Sequence, residues 1–476
     1  MIVNCIDCAW SQGVSVPIHI VILSSDILFW FLLLAIGLSF IWLNQQAMMR
    51  RPWLQVMASP VAAVCLVILL VYVGIALLDS IHFQYAEGQT TQVYTVQSVL
   101  DWIFSPLGEV SEKTYSSPFA STLYSKTVFN NAAGDVVNGF APLKYVYQAS
   151  GEADQVWHII SRSMLGAVGG LMIGILCIVL CLYWRSSVKK ISFKAMCQSV
   201  LQGHSLIAAR SLCLSVIVLS IGMGALYALS KQYHVLGTDK IGDDVFYETI
   251  KSIRTGVLIG SLTTVIMLPF ALLFGMLAGF LGGIVDDIIQ FTYTVLSSIP
   301  SVLLISASIL ALQLFINRHP EWFSTLLARA DARLLALCAI LGVMSWTGLC
   351  RLLRAETFKL RELDFVTAAK SLGVRKSRII LRHIFPNIFH ILIITMVLDF
   401  SSLVLAEAVL SYVGVGVDPT TMSWGNMINS ARLELAREPM VWWPLIAAMI
   451  FMFILVLALN LFADKVRDAF DPRMNS

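Results

Sequence analysis

ELDFVTAAKSLGVRKSRIILRHIFPN, from Glu362 to Asn387, decides how the rest of this chain is read. It is dense in charge yet set between long apolar runs, so it does not cross a bilayer and has to dock on something outside one. Phe365, Ala368, Ala369 and Leu372 fall at i, i+3, i+4 and i+7, which gives a short helix one apolar face whose two alanines permit close approach. The pattern predicts Asp364 as the N-cap of that helix and Gly373 as its C-terminal stop. Beyond the glycine, Ile380, Ile384 and Ile388 carry a second apolar spacing, while Arg375, Lys376, Arg378 and Arg382 cover the remaining faces. Pro386 is then expected to bend the chain into the next apolar segment. A basic loop is also what the positive-inside rule puts on the cytoplasmic side of any membrane protein, so charge alone does not say what docks here.

Working outward, 58% of the 476 residues are hydrophobic, 13% are charged and the mean hydropathy is +0.80, far more apolar than a soluble domain. Runs of about 20 apolar residues, the length that crosses a bilayer, lie near 24–43, 57–78, 157–184, 211–230, 255–280, 293–316, 333–350, 388–411 and 441–462. The expectation is an all-α polytopic membrane protein of about nine transmembrane helices. The net charge of +3 says little, but its distribution says more. Arg50 and Arg51, then Arg185, Lys189, Lys190, Lys194 and Arg210, then nine Arg/Lys from Arg351 to Arg382, mark three cytoplasmic segments. Residues 79–156 carry eight acids against Lys113, Lys126 and Lys144, which suits the opposite side. Alternation leaves the amino terminus outside and the tail, with Lys465, Arg467 and Arg473, inside.

Met1 to Asp26 has no basic start and no clear small-residue cleavage site, so the first run is read as a retained anchor. Cys5 and Cys8 form a lone C-x-x-C with no further ligands nearby, and the other seven cysteines, in or beside apolar runs, are expected to be packing residues. Residues 79–156 form the one sizeable soluble region, with β-prone stretches between turn residues. They hold His82 but neither a glycine-framed serine nor a metal-ligand cluster, so the region reads as an extracytoplasmic cap or partner-contact surface.

Asp399 and Glu407 fall within an apolar run, where charge is costly unless it faces a polar cavity or a partner. They read as pore-lining or interhelical groups, with Glu407 alternatively solvated at the outer interface. Pro300 is expected to kink its span, the freed carbonyl facing protein or water. Gly275, Gly279, Gly282 and Gly283 allow either tight helix packing or a helix end at the surface.

The order E-x-D-F-V-x-A-A-x-x-x-G followed by H-x-x-P-N, with Glu362, Asp364, Ala368, Ala369, Gly373 and Pro386 in place, resembles the EAA loop of ATP-binding-cassette importer permeases. In that family the loop is a coupling helix seated in a groove of the ATPase subunit. His234 to Asp244, HVLGTDKIGDD, resembles H-P-L-G-T-D-x-x-G-R-D of the C-type permease subunit of dipeptide and oligopeptide importers, except that Val235 replaces a proline and Asp243 an arginine. Arg254 with Gly260, AGFLGGIVD ending at Asp286, Ser298-Ile299-Pro300, EAVLSYVGVGVDP with SWGNM, and ADKVRDAFDPR ending at Arg473 continue the family order. Thr420 and Thr421 depart from its proline-rich turn. The resemblance implies a type I permease core over 231–476 with its coupling loop at 351–387, preceded by anchor helices in 1–78, the extracytoplasmic region 79–156 and a helical hairpin in 157–230. Either 57–78 or 211–230 can be the family's first helix.

No Gly-Lys dipeptide occurs, hence no P-loop of the G-x-x-x-x-G-K-[ST] type, so if this is an ATP-driven machine its energy comes from a separate subunit. What the resemblance implies is a non-enzymatic subunit moving di- or oligopeptides across a bacterial cytoplasmic membrane. Its partners would be two ATP-binding subunits, a second homologous permease, an extracytoplasmic peptide-binding protein and the lipid bilayer; no nucleic acid, cofactor or metal is expected. Related machinery carries antimicrobial peptides or nickel. A secondary transporter or channel would need paired intramembrane charges or two broken-helix halves, and a membrane enzyme would need a catalytic constellation in 79–156.

Overall fold

The computed structural model describes residues 4–5, 19–45, 47–87, 93–130, 135–147, 151–190, 192–202, 208–323 and 325–470. Cys8 of the C-x-x-C pair and Arg473 of the tail lie outside them. In chain order the elements are β1 (Asn4–Cys5), β2 (His19–Val21), α1 (Ser24–Gln45), α2 (Ala47–Ala58), α3 (Pro60–Asp79), β3 (His82–Glu87), β4 (Val93–Ser98), α4 (Val99–Ile103), α5 (Ser105–Glu109), β5 (Thr127–Asn130) and β6 (Val136–Gly139). There follow α6 (Glu152–Lys189), α7 (Phe193–Gln202), α8 (Ala209–Ser230), α9 (Val245–Leu281), α10 (Gly283–Ser298), α11 (Ser301–Arg318), α12 (Leu326–Arg361), α13 (Asp364–Ser371), α14 (Lys376–Ile379), α15 (Phe385–Tyr412), α16 (Trp424–Glu434) and α17 (Trp443–Phe470). Among the described residues eight helices are long and apolar enough to cross a membrane: α3, α6, α8, α9, α11, α12, α15 and α17. The remaining expected run appears in α1, which is apolar over Ser24–Ser39.

Two compact units emerge, one of residues 1–22, 46–254 and 422–465, the other of 23–45, 255–421 and 466–476. In the first, β1 to β4 form an antiparallel sheet in sequence order, with β3 and β4 paired from His82↔Ser98 to Glu87↔Val93. The soluble region is not self-contained. Leu123, Ala141, Leu143 and Val146 close around Tyr233, and Leu100 packs on Phe246 and Ile250, so residues that follow the hairpin complete its core. Helices α6 and α8 lie against each other through small residues. A Cβ on Gly166 would stand 2.4 Å from the Gly224 carbonyl oxygen, and one on Gly170 would stand 2.0 Å from that of Ser220. Such close approach supplies the van der Waals contact that holds apolar helices together where no hydrophobic driving force separates lipid from leucine.

In the second unit α9 and α12 meet in the same way. A Cβ on Gly275 would sit 2.8 Å from that of Leu353, one on Gly279 2.6 Å from the Arg354 oxygen, and one on Gly342 2.7 Å from Ile266 Cγ2. Gly282 and Gly283, at φ +65° and +56°, end the helix, so the glycines divide between both expected uses. The 293–316 span is corrected. Instead of one kinked helix there are two, because the chain turns extended at Ile299 and Pro300 stands exposed as the N-cap of α11. Its fixed φ and missing N–H suit the start of a helix better than its interior. The cysteines also differ from expectation: Cys65, Cys338 and Cys350 are buried, but Cys177 and Cys181 are exposed on α6.

Candidate coupling interface

The loop that follows α12 is a bracket packed against its own chain. Leu363, not Asp364, is the N-cap of α13; Asp364 is its first helical residue, where a carboxylate favours the positive end of the helix. Gly373, at φ +75°, ends α13, its N–H donating to Lys370 O at 3.0 Å and that of Val374 to Ala369 O at 3.1 Å. This pair of bonds is the Schellman arrangement, and it satisfies carbonyls that would otherwise be orphaned.

The apolar residues of α13 divide between two sides. Val366 and Ala369 point inward and join a core with Ala278 and Phe280 of α9, Cys350 and Leu353 of α12, and Ile379, Ile384 and Ile388 beyond the loop. Phe365, Ala368 and Leu372 point out, and Leu372 is 83% exposed. Ala369 therefore leaves the outward face that the spacing gave it. A helix that binds its own chain at i and i+3 keeps the i−1, i+2 and i+6 positions free. Ile379, rather than Ile380, takes the first fully buried place of the second pattern, and the helix does not break at Pro386. A π segment over Ile380–Ile384 joins α14 to α15 and lies directly before the proline, where a wider turn takes up the missing N–H and the ring. Glu362 is exposed and accepts from Arg361 Nε at 2.9 Å.

An ion pair that no spacing announced braces the base of this bracket. Arg354 of α12 holds Asp286 of α10 through two bonds, Nε to Oδ1 at 2.5 Å and Nη2 to Oδ2 at 2.6 Å. The guanidinium keeps the Asp286 carboxyl below the usual carboxylate range, against the effect of burial.

The expected pathway residues are not gathered at one place. Glu407 is 2% exposed and accepts from Ser411 Oγ at 2.7 Å, which removes the alternative of a solvated interfacial carboxylate. Asp399, two turns earlier on α15, is half-buried, and no side-chain donor reaches its carboxylate among the described residues. Pro300 stands on a different element, at the start of α11.

In the other unit the His234–Asp244 stretch is a tight loop bound to residues 112–116. Gly237 and Gly242 have φ of +73° and +92°, and a Cβ on Gly242 would lie 1.9 Å from Glu112 O, so both glycines are required. Thr238 Oγ1 accepts from Ser116 N at 2.6 Å and donates to Thr114 O at 3.0 Å. His234 is buried, its Nδ1 2.6 Å from Asp244 Oδ2 and its Nε2 4.0 Å from Glu112 Oε1, which also accepts from Lys144 N and Tyr145 N. Burial pulls the imidazole pKa down, but the two carboxylates overcome it and push it up to about 9, so the ring is an imidazolium at neutral pH. At Asp243, where the resembling family has arginine, burial and the neighbouring Asp244 push the carboxyl up. Glu112 had no local signal in the sequence; its partner lies more than a hundred residues away.

Residues 271–476 match the family model described as "binding-protein-dependent transport system inner membrane component". A putative peptide permease of Brucella suis is 31% identical over 242 residues, 50% of this chain and 73% of the relative. The dipeptide transport system permease protein of Lactococcus lactis is 31% identical over 243 residues, 51% of this chain and 65% of the relative. The oligopeptide transport system permease protein of Mycobacterium bovis is 32% identical over 243 residues, 51% of this chain and 77% of the relative. The chain belongs to the binding-protein-dependent transport permeases, as an ABC type-1 permease of multi-span membrane architecture. The family match does not reach α1 to α8.

Proposed function

We propose that this permease moves di- or oligopeptides across a bacterial cytoplasmic membrane as one half of an ATP-driven importer. ATP is bound and hydrolysed by two separate ATPase subunits, a second homologous permease supplies the other half of the pathway, and an extracytoplasmic peptide-binding protein delivers cargo. The reading of peptide as cargo is supported by the names of the three relatives. The coupling role is carried by one observation: the ridge of Phe365, Ala368 and Leu372 faces away from a helix that Val366, Ala369 and the Gly373 turn hold fixed.

A helix so held moves with α12 and α15 and not independently of them. Closure of the ATPase dimer around a groove that grips the ridge would therefore be transmitted as a rigid-body motion of both spans. α12 has 36 residues, about 54 Å at 1.5 Å per residue, long enough to carry that motion through the bilayer. Glu362, Asp364 and Pro386 belong to the bracket's frame. Asp399 and Glu407 are the carboxylates of α15 available to a pathway, with Pro300 at the α10–α11 joint. Alternation of the spans puts the loop and the tail in the cytoplasm and the amino terminus outside. In support, Asp331 near the start of α12 accepts from Ser24 N and Ser25 N, so α1 begins at the end of α12 remote from the loop.

The test is co-purification with uptake. A P-loop ATPase accompanies the wild-type chain, and Leu372→Asp releases it and abolishes peptide uptake while the chain stays folded. Uptake that survives Leu372→Asp and Phe365→Asp together refutes the coupling role.

A further inference from the structure

At the end of α12 remote from the coupling loop, a polar cleft of 340 Å³ opens between α11, α12 and the turn after α15. Gln313, Asn317, Arg329, Arg333, Asp418 and Thr420 give it its chemistry, and Ile316 and Leu326 give it an apolar wall. Its size is at the lower end of small-molecule sites, right for the end of a short chain and too small for a protein surface.

The charges do not balance. Among the described residues two guanidinium groups face one carboxylate, whose Oδ1 is already taken, since Asp418 Oδ1 accepts from both Thr420 N at 3.0 Å and Thr420 Oγ1 at 2.7 Å. Asp418 Oδ2 stands 3.6 Å from Arg333 Nη1, beyond hydrogen-bond reach. Arg333 is only 8% exposed. Hydrogen bonding assigns the Gln313 amide so that its oxygen receives Arg333 Nη1 at 2.6 Å and Nη2 at 3.0 Å, a neutral acceptor for a buried charge. Arg333 Nε has no acceptor among the described residues. Arg329 spends its Nε on Phe323 O at 3.0 Å, and among the described residues nothing receives its terminal nitrogens. A buried cation in a membrane helix whose hydrogen-bonded partner is neutral, whose one carboxylate neighbour stands 3.6 Å off and whose Nε donor is idle is costly, and an anion brought to it recovers part of that cost.

The geometry points to a site for the free carboxylate of a short peptide, received by Arg333 and Arg329 with the terminal residue against Ile316 and Leu326. A carboxylate matches the planar guanidinium fork, and the excess of one positive charge in the cleft is neutralised when it binds. The identification of the solute as a peptide rests on the cargo reading above; the need for an anion does not.

Binding of N-acetyl-dialanine and of its C-terminal amide to the full chain, purified with the subunits that accompany it, is measured by isothermal titration. The blocked amino group leaves the carboxylate as the only charge. The acid binds saturably and the amide at least about tenfold more weakly, the loss expected of a charged hydrogen bond. Arg333→Gln and Arg329→Gln each weaken the acid and leave the amide unchanged. Asp418→Asn, which removes the internal competitor, tightens it about threefold or more by the same charge argument. Equal binding of acid and amide, or unchanged binding in both arginine variants, overturns the site. Should Arg333→Gln not fold, the Arg329 and Asp418 variants still decide it in opposite directions. Parallel uptake assays separate the readings. Peptides imported normally with no binding in the cleft refute the site alone, and acid binding without any peptide import by the complex refutes the cargo reading alone.

Discussion

Leu372 and Val366 are both apolar residues of one short helix, and the fold gives them opposite duties. Leu372 touches almost nothing of its own chain, so Leu372→Ala alters stability by less than about 0.5 kcal/mol. Uptake is nevertheless expected to fall at least about tenfold, as for the loss of a central anchor worth some 1.4 kcal/mol. Val366 is fully buried, and Val366→Ala costs about 1–2 kcal/mol, read as a lower melting midpoint, whether or not an ATPase is bound. If Leu372→Ala destabilises the isolated chain as much as Val366→Ala does, the outward ridge is an internal contact after all. His234 makes a second residue-level case. Its folded pKa, about 9, exceeds the value near 6.5 of the unfolded chain, so its contribution is complete below the lower value and is lost as pH rises through the upper. The difference corresponds to about 3 kcal/mol. The melting midpoint of the purified chain is expected to fall between pH 6.5 and 9, and His234→Gln to lower it at pH 6 and flatten that decline. A wild-type profile that is flat over this interval rules out the imidazolium. The loop's residues were legible because short-range spacing encodes a helix. Which side of that helix faced home was not, because Val366 and Ala369 answer to α9 and α12, far away in sequence.

At the scale of elements, glycine spacing separates contact from ornament. Gly169 and Gly170 are neighbours on α6, but a Cβ on the first meets nothing within 4 Å and a Cβ on the second would stand 2.0 Å from Ser220 O. Gly170→Leu must push α8 away, whereas Gly169→Leu adds only an outward side chain. The expected result is a cross-link between cysteines placed on α6 and α8 that forms in wild type and Gly169→Leu and is lost in Gly170→Leu; equal cross-linking in all three disproves the tight crossing. Both glycines look alike in sequence, since the apolar run around them fixes a span but not the direction its faces point. Pro300 teaches the converse. A proline within an apolar run reads as a kink, yet α10 has ended on Ser298 before the proline arrives. The 16 residues of α10 keep Ile284, Ile288, Phe291 and Val295 exposed along one side, so the run is continuous in hydropathy and divided in structure. Hydropathy counts residues and is blind to such a joint.

For the whole molecule, parity of crossings turns local readings into a topology. From the soluble region to the His234 loop the chain passes through α6 and α8, two crossings, which returns it to the side it left. The contact of His234 with Glu112 agrees with that count. From the soluble region to α13 the chain passes through the candidate spans α6, α8, α9, α11 and α12, an odd number, and if each crosses, Val128 and Leu372 are expected on opposite sides of the membrane. Both are well exposed and serve as labelling sites once the nine native cysteines, Cys5 and Cys8 among them, are replaced by serine. In intact spheroplasts an impermeant maleimide is expected to label Val128→Cys at once and Leu372→Cys only after permeabilisation. Labelling of both from outside would mean that one helix taken as a span does not cross, and α11, the shortest at 18 residues, would be the first to doubt. The reverse pattern would leave the crossings intact and invert the molecule, removing the coupling ridge from any cytoplasmic ATPase. The same pair of cysteines therefore tests both the cytoplasmic placement of the basic segments and that of the exposed apolar ridge.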